Sequence, residues 1–254
     1  MTIALFLIDG LRPDALQQAE TPIIDKLVAS GASTFNARTV MPSVTLPCIT
    51  SLFLGVPPER HGITTNVWTP PARPVPGLID VIHQSGRHAA SFYNWEQLRD
   101  ISSPGSLTAS FFLKNCHSLE GDTQVATLAV EWLRRNPIDF AFIYFGHTDE
   151  AGHDWGWMSP QYFSAIANAD CCIGRVMDVL PKDSTVMVTS DHGGHAQSHG
   201  TDCDEDMTIP FIAHGPHIPR TSLTEPFYIT DIAPTVTRLL NLNNPREWIG
   251  KIKF

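Results

Sequence analysis

Histidines and aspartates are concentrated in one part of this chain. Five of the 11 histidines lie between positions 147 and 199. Asp149 precedes His153 by four residues, Asp191 and His192 are adjacent, and His199 follows seven residues later. Oxygen and nitrogen donors without a thiolate partner are typical of a catalytic Zn²⁺ or Mn²⁺ site rather than of a closed, cysteine-rich structural site. The pattern therefore indicates a metal site or an acid–base site.

Each of these residues alone also fits a structural role. A single histidine is more often a hydrogen-bonded surface or core residue than a ligand, and an aspartate at the end of a strand is as often a helix N-cap. On this alternative, Asp9 caps the turn after the first strand and His192 is a hydrogen-bonded core group. The joint pattern is more specific, because the predicted elements bring its parts to one place.

Three predicted strands end just before an acidic residue. The apolar runs at residues 3–8, 140–145 and 186–189 have the length of strands and no polar alternation, which is typical of strands buried on both faces of a parallel sheet. Asp9, Asp149 and Asp191 follow these runs. Because ligands of such sheets bind at the carboxyl ends of the strands, we expect neighbouring strands to bring the three carboxylates to one edge.

Helices alternate with the strands. Apolar spacing and capping residues predict helices over residues 22–30, 78–85, 122–135, 160–179 and 231–240, and further strands over residues 88–93, 107–113 and 209–213. The alternation predicts an α/β fold, with a mostly parallel central sheet and helices on both faces. No repeat or clear linker interrupts it, so we expect one domain over residues 1–254.

The hydroxyl of Thr45 lies at the start of a predicted helix. It lies in a proline-flanked loop before an apolar run, residues 49–54, that predicts a helix ending at Gly55. Backbone N–H groups and the dipole at a helix N-terminus favour anions, whereas a threonine hydroxyl is a poor nucleophile unless a metal or base takes its proton. The alternative role of Thr45 is that of a helix N-cap, and the two roles are compatible.

Composition limits the class of protein. The chain has 254 residues, 43% of them hydrophobic and 17% charged, with a formal net charge of −9, as in folded globular proteins. The acidic balance argues against a surface that coats nucleic acid. The longest apolar run is too short for a transmembrane span and lacks the basic flank of a signal peptide, so we expect no membrane partner. Five irregularly spaced cysteines favour a reducing, cytoplasmic setting.

Six motifs together point to a known superfamily. They are Leu7-Ile8-Asp9-Gly10-Leu11-Arg12, Met41-Pro42-Ser43-Val44-Thr45-Leu46-Pro47, Glu59-Arg60-His61-Gly62-Ile63, Asp149-x-x-Gly152-His153, Ser190-Asp191-His192-Gly193 and His199-Gly200. In these motifs and their order, over nearly the whole chain, the sequence resembles the alkaline phosphatase superfamily, in particular its nucleotide pyrophosphatase/phosphodiesterase branch.

The resemblance implies two divalent metal ions and a covalent nucleophile, Thr45. It assigns the ion beside Thr45 to Asp9, Asp191 and His192. It assigns the other ion to Asp149, His153 and His199. We expect Zn²⁺ at both positions, with Mn²⁺ as the alternative. Four positive charges would balance three aspartates and a threonine alkoxide, so that an incoming phosphate ester anion is not repelled.

The resemblance also implies a reaction and a fold. We expect hydrolysis of phosphodiester or pyrophosphate bonds in a small molecule through a phosphothreonine intermediate, on an alkaline-phosphatase-like fold with a small cap. Phosphomonoester or phosphonate hydrolysis on the same metals is one alternative, and a metal-binding relative without turnover is another. The sulfatase signature C/S-x-P-x-R is absent around Thr45, and the large inserted domain of cofactor-independent phosphoglycerate mutases has no room here. Substrate-binding residues and the oligomeric state stay open.

Three further residues receive supporting roles. We expect His195 to orient a ligand or donate a proton from outside the metal set. His61 is expected to make structural hydrogen bonds, and Cys48 to be a small buried residue.

Overall fold

An eight-stranded sheet forms the centre of the molecule, and the computed structural model describes residues 1–254. The strands are β1 (Ile3–Ile8), β2 (Ala32–Arg38), β3 (Ala89–Tyr93), β4 (Ala109–Phe112), β5 (Phe140–Phe145), β6 (Thr185–Thr189), β7 (Thr208–His214) and β8 (Thr221–Ser222). Their order is β4-β3-β5-β1-β6-β7-β2-β8. Only β7 runs antiparallel to its neighbours. The predicted mostly parallel α/β sheet is therefore confirmed.

Helices cover both faces of this sheet. They are α1 (Pro13–Leu16), α2 (Pro22–Ser30), α3 (Thr45–Leu54), α4 (Pro58–His61), α5 (Leu78–Gln84), α6 (Leu119–Leu133), α7 (His147–Trp155), α8 (Pro160–Met177), α9 (Asp204–Met207) and α10 (Ile232–Leu239). One core cluster contains residues of α3, α5 and α10, and the other contains residues of α2, α6 and α8. None of the helices combines the length and the apolar sequence that crossing a bilayer requires.

The central strand β1 shows why an unbroken apolar run belongs here. Ile3, Leu5 and Leu7 pack in the first cluster, and the alternate residues of the strand pack in the second. Every residue of β1 is buried, because parallel strands with helices on both faces have no solvent-facing side. The strands at residues 3–8 and 140–145 have the predicted bounds.

Two of the predicted helices begin at other residues, and several other element ends differ from the predicted ones by one or two residues. The helix expected over residues 122–135 begins at Leu119, since Ser118 is the N-cap and its hydroxyl accepts a hydrogen bond from Gly121 N. The last helix begins at Ile232 rather than at Asp231, because a 3₁₀ turn over Ile229–Asp231 precedes it.

Strand β2 has no counterpart among the predicted elements. Its sequence, Ala-Ser-Thr-Phe-Asn-Ala-Arg, lacks both a continuous apolar run and a clean alternation. Pairing with β7 holds it in the sheet, with a register irregularity between Thr34 and Ala37. The reversed direction of β7 was likewise not visible in the sequence, because an apolar run carries no information about strand direction.

Helix α2 begins against a buried carboxylate from α8. The two carboxylate oxygens of Asp170 accept hydrogen bonds from Ile23 N (3.2 Å) and Ile24 N (2.7 Å). Thr21 occupies the N-cap position of α2 but makes no side-chain cap bond. A buried acid on another helix therefore satisfies the first free N–H groups of α2.

Replacing Asp170 by Ala is expected to lower the free energy of unfolding by about 2 kcal/mol, since two charge-assisted bonds are lost and two N–H groups stay buried. Urea denaturation measures the change. Asp183→Ala, at an exposed position, is the matched control and should change stability little. Equal stability of the two variants would contradict this role of Asp170.

Candidate active site

Three aspartates meet at the carboxyl edge of the three central strands. Strands β5, β1 and β6 are neighbours, and Asp9, Asp149 and Asp191 follow them in the chain. These aspartates are 3%, 8% and 0% exposed. The convergence expected from the sequence is therefore present, in an environment where a carboxylate without a partner is costly.

Gly10 makes this close approach possible. It has a positive φ of 66°, and a Cβ placed on it would lie 2.9 Å from Asp149 Oδ1. Its N–H donates to Asp191 Oδ1 (3.2 Å), and its carbonyl accepts from Trp157 Nε1 (2.9 Å). A side chain at this position would separate the carboxylates, so the Asp9-Gly10 pair is a geometric requirement of the site.

Asp149 and His153 lie on a helix rather than in a loop. Residues 147–155 form α7, a helix that has no counterpart among the predicted elements. Helical spacing of four residues puts both side chains on one face, with His153 Nε2 3.3 Å from Asp149 Oδ2. Gly152 permits packing, because a Cβ there would lie 2.7 Å from the ring of Trp157.

All three histidines of the site are held in the same way. The Nδ1 atoms of His192, His153 and His199 lie 2.7, 3.0 and 2.9 Å from the carbonyl oxygens of Gly193, Gln197 and Ser43. A carbonyl only accepts, so each Nδ1 carries the proton and donates it. With Nδ1 engaged in this way, Nε2 is the ring nitrogen left to bind a metal in each histidine, once any proton that it carries has been released.

The first group of candidate metal ligands, Asp9, Asp191 and His192, lies beside the Thr45 hydroxyl. His192 Nε2 lies 3.1 Å from Thr45 Oγ1, 3.3 Å from Asp9 Oδ1 and 3.4 Å from Asp191 Oδ2. Thr45 is 3% exposed and is the first residue of α3, with Val44 as the N-cap. Thr45 is thus not the N-cap, and its hydroxyl contacts His192, the histidine of this group.

The second group lies directly beside the first. His153 Nε2 and His199 Nε2 lie 3.3 and 3.7 Å from the Asp149 carboxylate. The rings of His192 and His199 stack with centroids 3.9 Å apart, which links the two groups. The structure therefore brings together all six side chains that the sequence analysis assigned to metals.

Burial and like charge make the metal-free arrangement unfavourable. Burial, and then the charges of Asp191 and Asp149, raise the pKa of Asp9 well above its ordinary value. Burial also raises the pKa of Asp191 and lowers that of His192. For Asp149, burial acts to raise the pKa, but the hydrogen bond to His153 and the nearby imidazoles outweigh it and the pKa is lowered. That same bond raises the pKa of His153 to about 9.

The donor atoms fit divalent cations. Asp9 Oδ1, Asp149 Oδ1 and Asp191 Oδ2 are buried and have no hydrogen-bond partner. Within each group of three residues, the ligand atoms lie within 4.8 Å of one another. These oxygens face imidazole nitrogens. A divalent cation would bind both the oxygens and the nitrogens.

Sequence reasoning missed two residues of the site. The Tyr144 hydroxyl donates to Asp9 Oδ2, and the Asn66 carbonyl oxygen accepts from Leu46 N (2.9 Å), next to Thr45. Tyr144 lies within an apolar strand and Asn66 within a polar loop, so neither stood out. The order of strands β5 and β1 alone could have placed Tyr144 beside Asp9.

The supporting residues also have clear positions. His195 Nδ1 lies 2.7 Å from Asp206 Oδ1, outside both donor groups. His61 Nδ1 accepts from Ile63 N, and its Nε2 lies 2.9 Å from Ser51 Oγ, which fits the structural role expected. Cys48 is fully buried in the core.

A family model covers this site. The model described as type I phosphodiesterase / nucleotide pyrophosphatase matches residues 3–207. That span contains Thr45 and all six donors.

Solved structures share the fold. Murine ectonucleotide pyrophosphatase / phosphodiesterase 5, solved as an inactive threonine-to-alanine variant in complex with AMP, has a TM-score of 0.80 and 19% identity, over 98% of this chain and 97% of its own. The phosphonate monoester hydrolase of Agrobacterium radiobacter has a TM-score of 0.78 and 16% identity, over 99% of this chain and 76% of its own. These likenesses confirm the alkaline-phosphatase-like fold.

A curated relative matches half of the chain. The 2,3-bisphosphoglycerate-independent phosphoglycerate mutase of Staphylococcus aureus is 31% identical over 135 residues, which are 50% of this chain and 26% of the mutase. The match thus spans about a quarter of that relative's length.

Replacing Asp9 by Asn is expected to stabilise the metal-free protein by about 1 kcal/mol, because the amide removes a buried charge and can donate to His192 Nε2. The folded-state pKa of Asp9 is raised above its unfolded value, so ionised Asp9 opposes folding. The advantage of Asn is therefore full above the folded pKa and shrinks as the pH falls through it. Urea denaturation with EDTA, across neutral to acidic pH, measures this difference.

Zn²⁺ should reverse the order of stability. The native protein gains stability by binding the ion, whereas Asp9→Asn gains much less. Asp183→Asn, at an exposed position, is the control. A metal-free Asp9→Asn protein that is less stable than the native one would contradict the proposed cost of the buried carboxylate.

Proposed function

We propose, from the premise that this chain belongs to the type I phosphodiesterase / nucleotide pyrophosphatase family, that it hydrolyses phosphodiester or pyrophosphate bonds of a small molecule. Thr45 is the proposed nucleophile, and a phosphothreonine is the proposed intermediate. One observation carries the proposal: the Thr45 hydroxyl lies 3.1 Å from His192 Nε2, which in turn lies beside two buried oxygens without a hydrogen-bond partner, Asp9 Oδ1 and Asp191 Oδ2.

Two divalent cations are part of the proposal. The residues proposed for the cation beside Thr45 are Asp9, Asp191 and His192. Those proposed for the second cation are Asp149, His153 and His199. When bound, such cations would stabilise an alkoxide nucleophile and the charge of a leaving oxygen. Three imidazoles and three carboxylates suit Zn²⁺, with Mn²⁺ as the alternative.

Thr45 undergoes the bond changes. In the first step, Oγ1 attacks phosphorus and loses its proton, while the bond to the leaving oxygen breaks and that oxygen gains a proton. In the second step, water attacks the phosphothreonine, which regenerates the hydroxyl and releases the second product. Each in-line step inverts the configuration at phosphorus, so the overall reaction retains it.

The surroundings of Thr45 support binding of a phosphoryl group. Its position at the start of α3 places it where the helix dipole favours negative charge. Asn66 contacts Leu46 N through its carbonyl oxygen, which leaves its amide NH₂ group free. We propose that this group donates to a phosphate oxygen. All of these residues lie at one sheet edge, which supports the proposal that residues 1–254 act as one catalytic domain.

The family description favours diesters and pyrophosphates over other substrates. Hydrolysis of phosphomonoesters or phosphonates at the same site is the second candidate activity, and the likeness to a phosphonate monoester hydrolase supports it for the ester bond of a phosphonate monoester. The cytoplasmic location stays a prediction. None of the five cysteines forms a disulfide in this structure.

Thr45→Ala is expected to lower the rate of bis-p-nitrophenyl phosphate hydrolysis on the order of 10³-fold or more, because losing a nucleophile leaves only binding and electrostatic contributions. Acid quenching during turnover of the native protein, followed by mass spectrometry, should find phosphate on Thr45. Thr127→Ala, which makes the same change on α6 across the sheet, should keep full activity. Normal turnover by Thr45→Ala would refute the covalent route.

EDTA is expected to abolish hydrolysis, and Zn²⁺ or Mn²⁺ to restore it, because the proposed reaction needs positive charge at the donor groups. On the reconstituted protein, we expect bis-p-nitrophenyl phosphate to react faster than p-nitrophenyl phosphate and phosphonoacetate. Preference for either of the last two would assign the activity to the alternative reaction class. Inertness toward the whole panel with metals bound would indicate a relative without turnover.

A further inference from the structure

A separate cluster of metal-ligating side chains lies beside the candidate active site. Cys116 and His117 are in the turn between β4 and α6, and Glu150 is on α7, next to Asp149 in the chain. One donor atom from each of the three residues lies within 4.8 Å of the other two. The turn follows a parallel strand, so the cluster lies at the same edge of the sheet as the six donors.

These three side chains bond only to one another. The Cys116 thiol donates to Glu150 Oε1 (3.4 Å), and His117 Nδ1 lies 2.8 Å from Glu150 Oε2. No backbone N–H group uses the Glu150 carboxylate. The carboxylate therefore has no structural role that a metal ion would disrupt.

We propose that Cys116, His117 and Glu150 form a third metal site, which takes a single thiophilic divalent cation of the Zn²⁺ class. Sulfur, imidazole and carboxylate are all ligands of Zn²⁺, and three protein ligands leave its fourth position for water. A thiolate and a carboxylate together neutralise the charge of the ion. The thiol proton is released when the ion binds.

The position of the cluster gives the cation access from solvent. The side chains of His117 and Glu150 are 74% and 24% exposed, whereas Cys116 is 6% exposed. The buried thiol of Cys116 thus lies at the bottom of the site, and the imidazole of His117 lies at its solvent-facing opening. A bound ion would tie residues 113–118 to α7, the helix that carries Asp149 and His153.

A second cysteine cluster provides a useful contrast. His195, Cys203 and Asp206 also bring donor atoms within 4.8 Å of one another. Here, however, Asp206 Oδ2 accepts from both Thr201 N and Thr201 Oγ1 at 2.8 Å, and Oδ1 binds His195. The Asp206 carboxylate thus holds the loop that carries His199 in place, and binding a metal there would break its hydrogen bonds to Thr201.

Cobalt(II) spectroscopy tests the proposal, because thiolate ligation gives a strong near-ultraviolet charge-transfer band that oxygen and nitrogen ligands do not. The six donors of the candidate active site contain no sulfur, so the band reports on the cysteine sites alone and is independent of the proposed activity. Co²⁺ titration of the full chain, kept reduced with a phosphine, should give a saturable band. Zn²⁺ should displace it.

Matched cysteine variants locate the band. It should disappear in Cys116→Ser and persist in Cys203→Ser and Cys171→Ser. His117→Ala, an exposed change that leaves the fold intact, should weaken Co²⁺ binding at least about tenfold. Absence of the band in the native protein, its survival in Cys116→Ser, or its loss in Cys203→Ser would each overturn the proposal.

Discussion

Mutual repulsion among three buried carboxylates is the constraint on which the rest of the structure depends. Asp9, Asp149 and Asp191 approach each other because β1, β5 and β6 are adjacent and because Gly10 has no side chain to keep them apart. Water is excluded from most of their surface, and three of their oxygens have no hydrogen-bond partner. A fold that keeps such a cluster has a use for positive charge at that point.

The surrounding backbone fixes how that charge would be bound. Three carbonyl oxygens, of Gly193, Gln197 and Ser43, hold the imidazoles by Nδ1 and direct every Nε2 toward a carboxylate. These carbonyls belong to loops at the carboxyl edge, while the carboxylates follow rigid strands. Helix α3 begins at the same edge, so that Thr45, its first residue, lies next to His192. The strands thus position the carboxylates, and the loop carbonyls determine that Nδ1 of each imidazole carries a proton.

Much of this arrangement could be predicted from the sequence, and the reasons for the failures are physical. The apolar runs before Asp9, Asp149 and Asp191 identify buried strands, and adjacency then follows from the parallel fold. Helix α7 was not predicted, because Gly152 is a poor helix former, and only its packing against Trp157 explains it there. The role of Tyr144 depends on which strands are neighbours, which local patterns do not encode.

Long-range pairing also explains the other misses. Strand β2 has a mixed sequence and forms because β7 offers it hydrogen bonds. The carboxylate of Asp170 caps α2 by accepting a hydrogen bond from Ile23 N, 147 residues earlier in the chain, a contact that no window of sequence contains. Local signals therefore gave most of the elements and the chemistry of the site, whereas the pairing of β2, the direction of β7 and the helix cap that Asp170 provides depend on long-range contacts.

Anomalous diffraction from crystals of the native protein soaked with Zn²⁺ would locate the bound cations directly. We expect one anomalous peak among Asp9, Asp191 and His192, within reach of Thr45 Oγ1, and a second among Asp149, His153 and His199. Crystals that bind zinc elsewhere but show no peak at either position would contradict this assignment.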